Sequence, residues 1–555
     1  MSMYCNQCEQ TSKGVACTES TPAPCGKNPT VAALQDMLVY GLKGIAQYAT
    51  RARTLGARDA EIDSFALEAL FLTITNVNFD EEANARFVYR AAELRDRARA
   101  MYQAACERAG QAAETLSGPA AWSPASDIAG LAEQHETLAN LKARRDAIGV
   151  DLAGLEEMAL FGLKGMAAYA RHAEELGLKD EEVYAFTHQV LDFLTRDNGL
   201  DDLVGMNLEI GRVNFKVLGM LDAANTGAYG DPVPTEVSTS ARAGKAILVS
   251  GHDLKMLEEL LKQTEGTGVN VYTHCEMLPA HSYPGLKKYS HLVGNFGGAW
   301  HAQQKEFAQW PGAILMTTNC IIEPKDSYKD RFFTAGPVGW PGLQHVENND
   351  FSPLIAAAQA APGFSEDEAE GNKLLCGFGH NTVMSVAGTV IEAVKAGALK
   401  HFFLIGGCDG AKKDREYFTD LATSAPKDSV VLTLGCKKFR FNDKQAEFGD
   451  IGGIPRLLDM GQCNDAYSAI LVASELAKAF ETDVNSLPLS LVIGWIEQKA
   501  VCILQTLLYL GIKNIRLGPG LPAFVSPAVL NVLVEKFNIT PLGDAQNDLQ
   551  AMLAS

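Results

Sequence analysis

No stretch of this chain has the makings of a membrane span. The richest apolar segment, AVCILQTLLYLGI (500–512), carries a Gln, directly follows Glu497 and Lys499, and falls short of the ~18–20 apolar residues a span needs. It reads as a buried helix. The N-terminus lacks the basic, apolar and small-residue order of an export signal, since Cys5 and Cys8 arrive before any apolar run. Positive charge is in short supply: 48 Lys and Arg against 67 Asp and Glu leave a net charge of −19. A nucleic acid or an anionic membrane would require a basic face, so neither is expected as a partner. Cysteine is not in short supply. Twelve thiols without an export signal point to a reducing, cytoplasmic setting, where thiols serve metals or redox chemistry.

At 555 residues the chain exceeds one core, and its hydrophobic fraction of 47% is that of a soluble globular protein. An internal repeat organises the first half. LQDMLVYGLKGIAQYATRARTLG (34–56) returns 121 residues later as LEEMALFGLKGMAAYARHAEELG (155–177), with Tyr48 falling on Tyr169. Both copies have helical apolar spacing, close on a C-cap glycine (Gly56, Gly177) and continue into a second helical stretch, 61–75 and 181–194. Two related helical bundles are expected, joined by the Ala-rich segment 80–150. The GLKG motif has two readings, an anion site at a helix terminus and close helix packing at its small glycines, and packing is preferred. Gly, Pro, Ser and Thr gather at 223–245 and mark a boundary. Beyond it, apolar strand-like runs alternate with amphipathic helices such as 253–263 and 389–397, the pattern of parallel α/β domains. The expected plan is an all-helical domain over 1–230, then two parallel-sheet, Rossmann-like α/β domains over 240–370 and 371–555.

Six of the strand-like runs lead into a residue able to bind a metal. AILVS (246–250) runs into His252, VNVYTH (269–274) into Glu276, AILMTTN (313–319) into Cys320, FFLIGG (402–407) into Cys408, VVLTLG (430–435) into Cys436 and LVIGW (491–495) into Glu497; Cys463 in GQCND joins them. Open α/β sheets collect working residues in the crevice beyond the carboxyl ends of their strands. A single Cys there would be a small buried hydrophobe, but four Cys, a His and two Glu are not explained by packing. Thiolates suit iron and sulfide, while imidazole and carboxylate accept oxygen-bridged iron, so the mixture points to a partly oxygenic metal cluster. Nearby, His274 and Lys499 are candidate orienting or proton-relaying groups. Cys275 adjoins Glu276, and its thiol is expected on the opposite face if that stretch stays extended.

A separate constellation, Cys5, Cys8, Cys17 and Cys25, has the spacing C-x2-C-x8-C-x7-C in a loop-rich segment. Four such thiolates suit an iron–sulfur cluster or a structural zinc ion, and spacing leaves both open.

CNQCEQT, SGHDLK, QTEGTGVNVYTH, EMLPAH, NCII, GGCDG, FGDIGGIPR, GQCNDAYS and WIEQKA together resemble the hybrid cluster (prismane) proteins along essentially the whole chain. The resemblance implies a helical domain, two α/β domains, and two iron centres. Cys5, Cys8, Cys17 and Cys25 fall on the family's 4Fe-4S cluster. His252, Glu276, Cys320, Cys408, Cys436, Cys463 and Glu497 fall on the ligands of a hybrid 4Fe-2S-2O type cluster between the domains, with Lys499 at its edge. It implies that Cys408 can carry an extra sulfur as a persulfide. The implied activity is hydroxylamine reduction with electrons from a donor protein; apart from the resemblance, the residues themselves suggest a proton relay through Glu497, Lys499 or His274. Nitric oxide reduction or protein S-nitrosylation is the alternative, and a non-catalytic redox-sensing thiol or zinc protein stands outside both.

Overall fold

The computed structural model describes residues 2–554. Its first half is helical: α1 (Pro29–Thr54), α2 (Ala60–Leu72), α3 (Glu81–Ala109), α4 (Ile128–Leu138), α5 (Leu141–Ile148), α6 (Val150–Glu175), α7 (Glu181–Phe193) and α8 (Leu200–Tyr229). The repeat is exact in length, 26 residues for α1 and α6 and 13 for α2 and α7. The same cap starts both short helices: Asp59 accepts from the amides of Glu61 and Ile62, and Asp180 from those of Glu182 and Val183.

The two bundles interlock. α1 lies along α3 and α6 along α8, but α2 packs mainly on α6 and α7 on α1. Across this exchange Asp63 of α2 lies 2.9 Å from His188 Nε2 of α7, and Arg53 reaches both Asp63 and Glu181. The segment 80–150 is therefore no mere connection. Its Ala, Arg and Glu are strong helix formers, and α3 buries Val88, Ala91, Leu94, Ala98, Tyr102 and Ala105 along one stripe.

β1 (Thr235–Ser238) opens the α/β part, and is followed by β2 (Lys245–Ser250), β3 (Val269–His274), β4 (Leu292–Asn295), β5 (Ala313–Met316), β6 (Phe332–Ala335) and β7 (Gln344–Val346). The last six form a parallel sheet in the order β4-β3-β2-β5-β6-β7. β8 (Lys373–Cys376) pairs antiparallel with β1. Then come β9 (His401–Gly407), β10 (Ser429–Thr433), a small hairpin of β11 (Asp450–Ile451) and β12 (Ile454–Pro455), β13 (Leu457–Asp459), β14 (Leu489–Gly494), β15 (Ile515–Gly518) and β16 (Thr540–Pro541). They build a second parallel sheet, β13-β10-β9-β14-β15-β16. All six anticipated strands are present, and β5 and β10 are buried along their whole length, as strands covered on both faces must be. Each sheet is doubly wound, its order reversing once, between β2 and β5 and between β9 and β14. Such a switch point opens a crevice.

One helix crosses between the regions. Gln498–Tyr509 follows β14 but packs against α6 and α8. The GLKG glycines allow this: a Cβ on Gly165 would stand 2.3 Å from the Gln498 carbonyl oxygen, and one on Gly44, its equivalent, 2.4 Å from that of Pro119. The motif is a packing device in both copies.

Candidate metal centre

The switch point of the first sheet delivers His252 and Cys320, and that of the second delivers Cys408 and Glu497. β3 adds Glu276, β10 adds Cys436, and β13 adds Cys463. The carboxyl ends of the two sheets are tied face to face. The Gln462 side-chain amide donates to the carbonyls of His252 (3.0 Å) and Glu276 (2.7 Å), and the Cys463 amide donates to Glu276 Oε2 (2.9 Å).

His252, Glu276 and Cys463 offer donor atoms that all lie within 4.8 Å of one another. The Thr318 hydroxyl, 2.8 Å from His252 Nδ1, donates to the Asn319 carbonyl at 3.2 Å. It therefore accepts from Nδ1–H and leaves Nε2 as a lone-pair donor, 3.9 Å from Glu276 Oε2. Burial holds the imidazole pKa well below its ordinary value, with Lys499 adding to the effect, so the ring is neutral and able to ligate. Burial pushes the Glu276 carboxyl up to about 7 against the pull of Lys438.

Two buried atoms facing this space have no hydrogen-bond partner in the protein, Glu276 Oε1 and Lys499 Nζ. A carboxylate oxygen and an ammonium are expensive to bury unsatisfied. Burial opposes the Lys499 charge, but Cys463, Glu497, Cys320 and Glu276 outweigh it and raise the pKa. Its ammonium sits 5.9 Å from the ring centres of both Phe71 and Tyr169. A metal group bridging the thiols, the imidazole and the carboxylates would satisfy the first atom and supply charge for the second. The donor set fits such a group.

Each strand-end thiol meets one kind of donor. The Tyr169 hydroxyl donates to Cys463 Sγ (3.2 Å) and the Asn319 side-chain amide to Cys320 Sγ (3.3 Å). Burial pushes the Cys408 thiol up to about 12, reinforced by Glu497 and opposed by the amides of Glu497 and Ile496. Glu497 caps the helix Gln498–Tyr509, its Oε2 accepting from the Lys499 amide at 2.8 Å. Behind Cys436, Lys437 and Lys438 are fully buried, paired to Asp409 (3.3 Å) and Asp459 (2.5 Å). Burial lowers the Lys437 ammonium to about 7 against the pull of Asp409, whereas Asp459 and Glu276 outweigh burial and keep Lys438 raised.

Two expectations change. His274 is not brought to the centre: its Nδ1 lies 2.8 Å from Ser250 Oγ and its Nε2 2.9 Å from Glu306, so both ring nitrogens are engaged inside the first sheet. Cys275 does reach the centre. β3 stops at His274, Cys275 takes a left-handed φ of 54°, and its sulfur lies 3.4 Å from Cys436 Sγ. The alternation of an extended strand does not apply beyond that turn. Sequence reasoning also passed over Thr318, Asn319 and the chemical role of Tyr169, although the repeat had singled Tyr169 out. Its equivalent Tyr48 merely donates to the Ala120 carbonyl.

The N-terminal thiols form a second group. Cys5 and Cys17 exchange backbone hydrogen bonds of 3.0 and 2.8 Å, and the Ser12 amide lies 3.4 Å from Cys17 Sγ. Burial raises the thiols of Cys5, Cys8 and Cys25, the last to about 11, and the neighbouring Cys act on one another in each case. This loop is fastened to the main site. The Glu9 amide donates to the Ile496 carbonyl (2.9 Å), and the Gln498 side chain donates to the Gln7 carbonyl (2.7 Å). Arg415, wholly buried, bridges the Glu9 carboxylate (3.1 Å), the Trp495 carbonyl (3.0 Å) and the Cys408 carbonyl (3.2 Å).

Comparison with known proteins agrees with this architecture. The chain is 56% identical to a hydroxylamine reductase of Geobacter metallireducens over the whole of both chains, and 57% identical to one of Rhodospirillum rubrum over 99% of each. Its fold is similar to that of a carbon monoxide dehydrogenase from Thermococcus sp. AM4, at 18% identity and a TM-score of 0.54, over 99% of this chain and 90% of the other. The model of the Prismane/CO dehydrogenase family matches residues 3–550, and with two parallel sheets meeting at their carboxyl ends the chain belongs to that family.

Proposed function

We propose that this protein is a hydroxylamine reductase, converting hydroxylamine, two electrons and two protons to ammonia and water. The observation that carries the reading is the convergence of an imidazole, two carboxylates and four thiols on the facing ends of two sheets, in a chain whose full-length relatives bear that name. His252, Glu276, Cys320, Cys408, Cys436, Cys463 and Glu497 would hold a hybrid 4Fe-2S-2O type cluster, and Cys5, Cys8, Cys17 and Cys25 a 4Fe-4S cluster. When bound, the hybrid cluster supplies redox equivalents and Lewis acidity.

The chain's own residues do the rest. Lys499, kept cationic by the anionic groups around it, holds a proton where the leaving oxygen must be protonated. A carboxylate binds through one oxygen or two, so Glu497 can vacate a position that thiolates hold more permanently. The hydrogen bonds from Glu9 to Ile496 and from Gln498 to Gln7 support electron delivery from the N-terminal thiol site, itself charged by a donor protein.

The test is anaerobic purification with iron and acid-labile sulfide analysis, then turnover of hydroxylamine against nitric oxide. Iron and sulfide with hydroxylamine turnover support the reading. Turnover of nitric oxide alone would move the activity to the alternative, and zinc without sulfide would end the redox reading. Cys8→Ser should slow turnover with a protein donor while the strand-end site keeps its iron.

A further inference from the structure

We infer that Cys275 donates a hydrogen bond to the Cys436 sulfur when that sulfur holds iron, and so raises the reduction potential of the metal centre. This rests on the reading of Cys436 as a ligand. The two sulfurs are 3.4 Å apart, hydrogen-bonding distance for a thiol donor and far beyond the ~2.05 Å of a disulfide bond. A metal-bound thiolate has no proton to give, so the donor must be Cys275.

The other strand-end thiols show why this contact matters. Cys463 receives the Tyr169 hydroxyl, Cys320 the Asn319 amide, and Cys408 the backbone amides of Ile496 and Glu497. With Cys275 on Cys436, each of the four thiols proposed as ligands has a donor of its own, and only this one is a thiol. The pair is shut away from water, packed among Ala299, Trp300 and Ile496. Hydrogen bonds to ligand sulfur stabilise the more negative, reduced state of an iron–sulfur centre, which fixes the direction of the effect.

The backbone supplies a clean variant. Cys275 occupies the left-handed region, which glycine adopts freely and an L residue enters only at a cost. Cys275→Gly therefore removes the thiol without adding strain, and Cys275→Ser restores an O–H donor. The experiment is a redox titration of the full chain, purified anaerobically, with the strand-end centre followed by electron paramagnetic resonance and iron measured in parallel. The expected result is unchanged iron in both variants, a midpoint shifted negative in Cys275→Gly, and most of that shift recovered in Cys275→Ser. A Cys275→Gly midpoint equal to wild type would overturn the inference. So would loss of iron from that variant, which would make Cys275 a ligand. An iron-free wild type would instead remove the reading of the site itself.

Discussion

At the switch point of the first sheet stand His252 and Cys320, with Glu276 one strand over; at that of the second stand Cys408 and Glu497, with Cys436 one strand over and Cys463 beyond it. Each switch point thus pairs one thiol with one nitrogen or oxygen donor. The sheets part company on the outer strands. Where β13 leads to Cys463, the corresponding β4 ends at Asn295, whose amide turns back onto the Gly297 carbonyl. The strand order fixes where a donor stands, while the few residues after each strand fix its chemistry. By that division the second sheet offers three thiols and one carboxylate, a set weighted to the donors that suit iron and sulfide, and the first offers one thiol beside an imidazole and a carboxylate, the harder set.

The comparison breaks most readily at its strongest point. Cys436→Ala should strip the strand-end site of iron and abolish turnover, whereas Glu276→Gln should retain most of the iron; equal loss in both, by metal analysis, would erase the distinction between the sheets. Glu497→Gln should keep fold and most iron but lose most turnover, because it removes the carboxylate assigned to open a position for substrate. Near wild-type rates with iron verified would take Glu497 out of the chemistry. Thr318→Val removes the acceptor that fixes the His252 tautomer, and about a tenfold drop in activity or metal affinity is expected. An unchanged variant would mean that His252 needs no orientation.

The smallest effect lies away from the sheets and concerns stability. Burial opposes the Asp63 charge, yet His188 and Arg53 hold its carboxyl below the ordinary value. Its contribution is therefore present above about pH 4 and is lost as the pH falls through the depressed folded-state value. In Asp63→Asn the acid limb of a melting-temperature profile should be shallower than in wild type, and superimposable profiles would show that the interlock of α2 and α7 does not depend on this charge.

Much of the site was legible because strand-end position is a local signal. A short apolar run followed by His, Cys or Glu needs no knowledge of the fold, and the six residues read that way lie with Cys463 at the facing sheet ends. The repeat was equally legible, since α1 and α6 share length and apolar spacing. What stayed hidden depends on non-local packing or on a single dihedral angle. The exchange of α2 and α7 leaves each helix's own pattern unchanged. Cys275 was assigned to the wrong side because one left-handed residue defeats a period-two argument. Thr318 and Asn319 lie in an unremarkable TTNC run, and their roles exist only once β5 stands beside β2.

The hydrogen bond from the Glu9 amide to the Ile496 carbonyl also sets a schedule. The thiol loop is synthesised first, yet one of its anchors is made almost five hundred residues later. At ~5–20 residues per second, that loop waits about half a minute to a minute and a half for its partner. The helix after Glu497 must also have emerged before it can dock on α6 and α8. Four cysteines near the start of the nascent chain are thus exposed to metals and oxidants before their seat exists. The native setting of these thiols is complete only after residue 496 has been made and docked, with the strand-end region already in place.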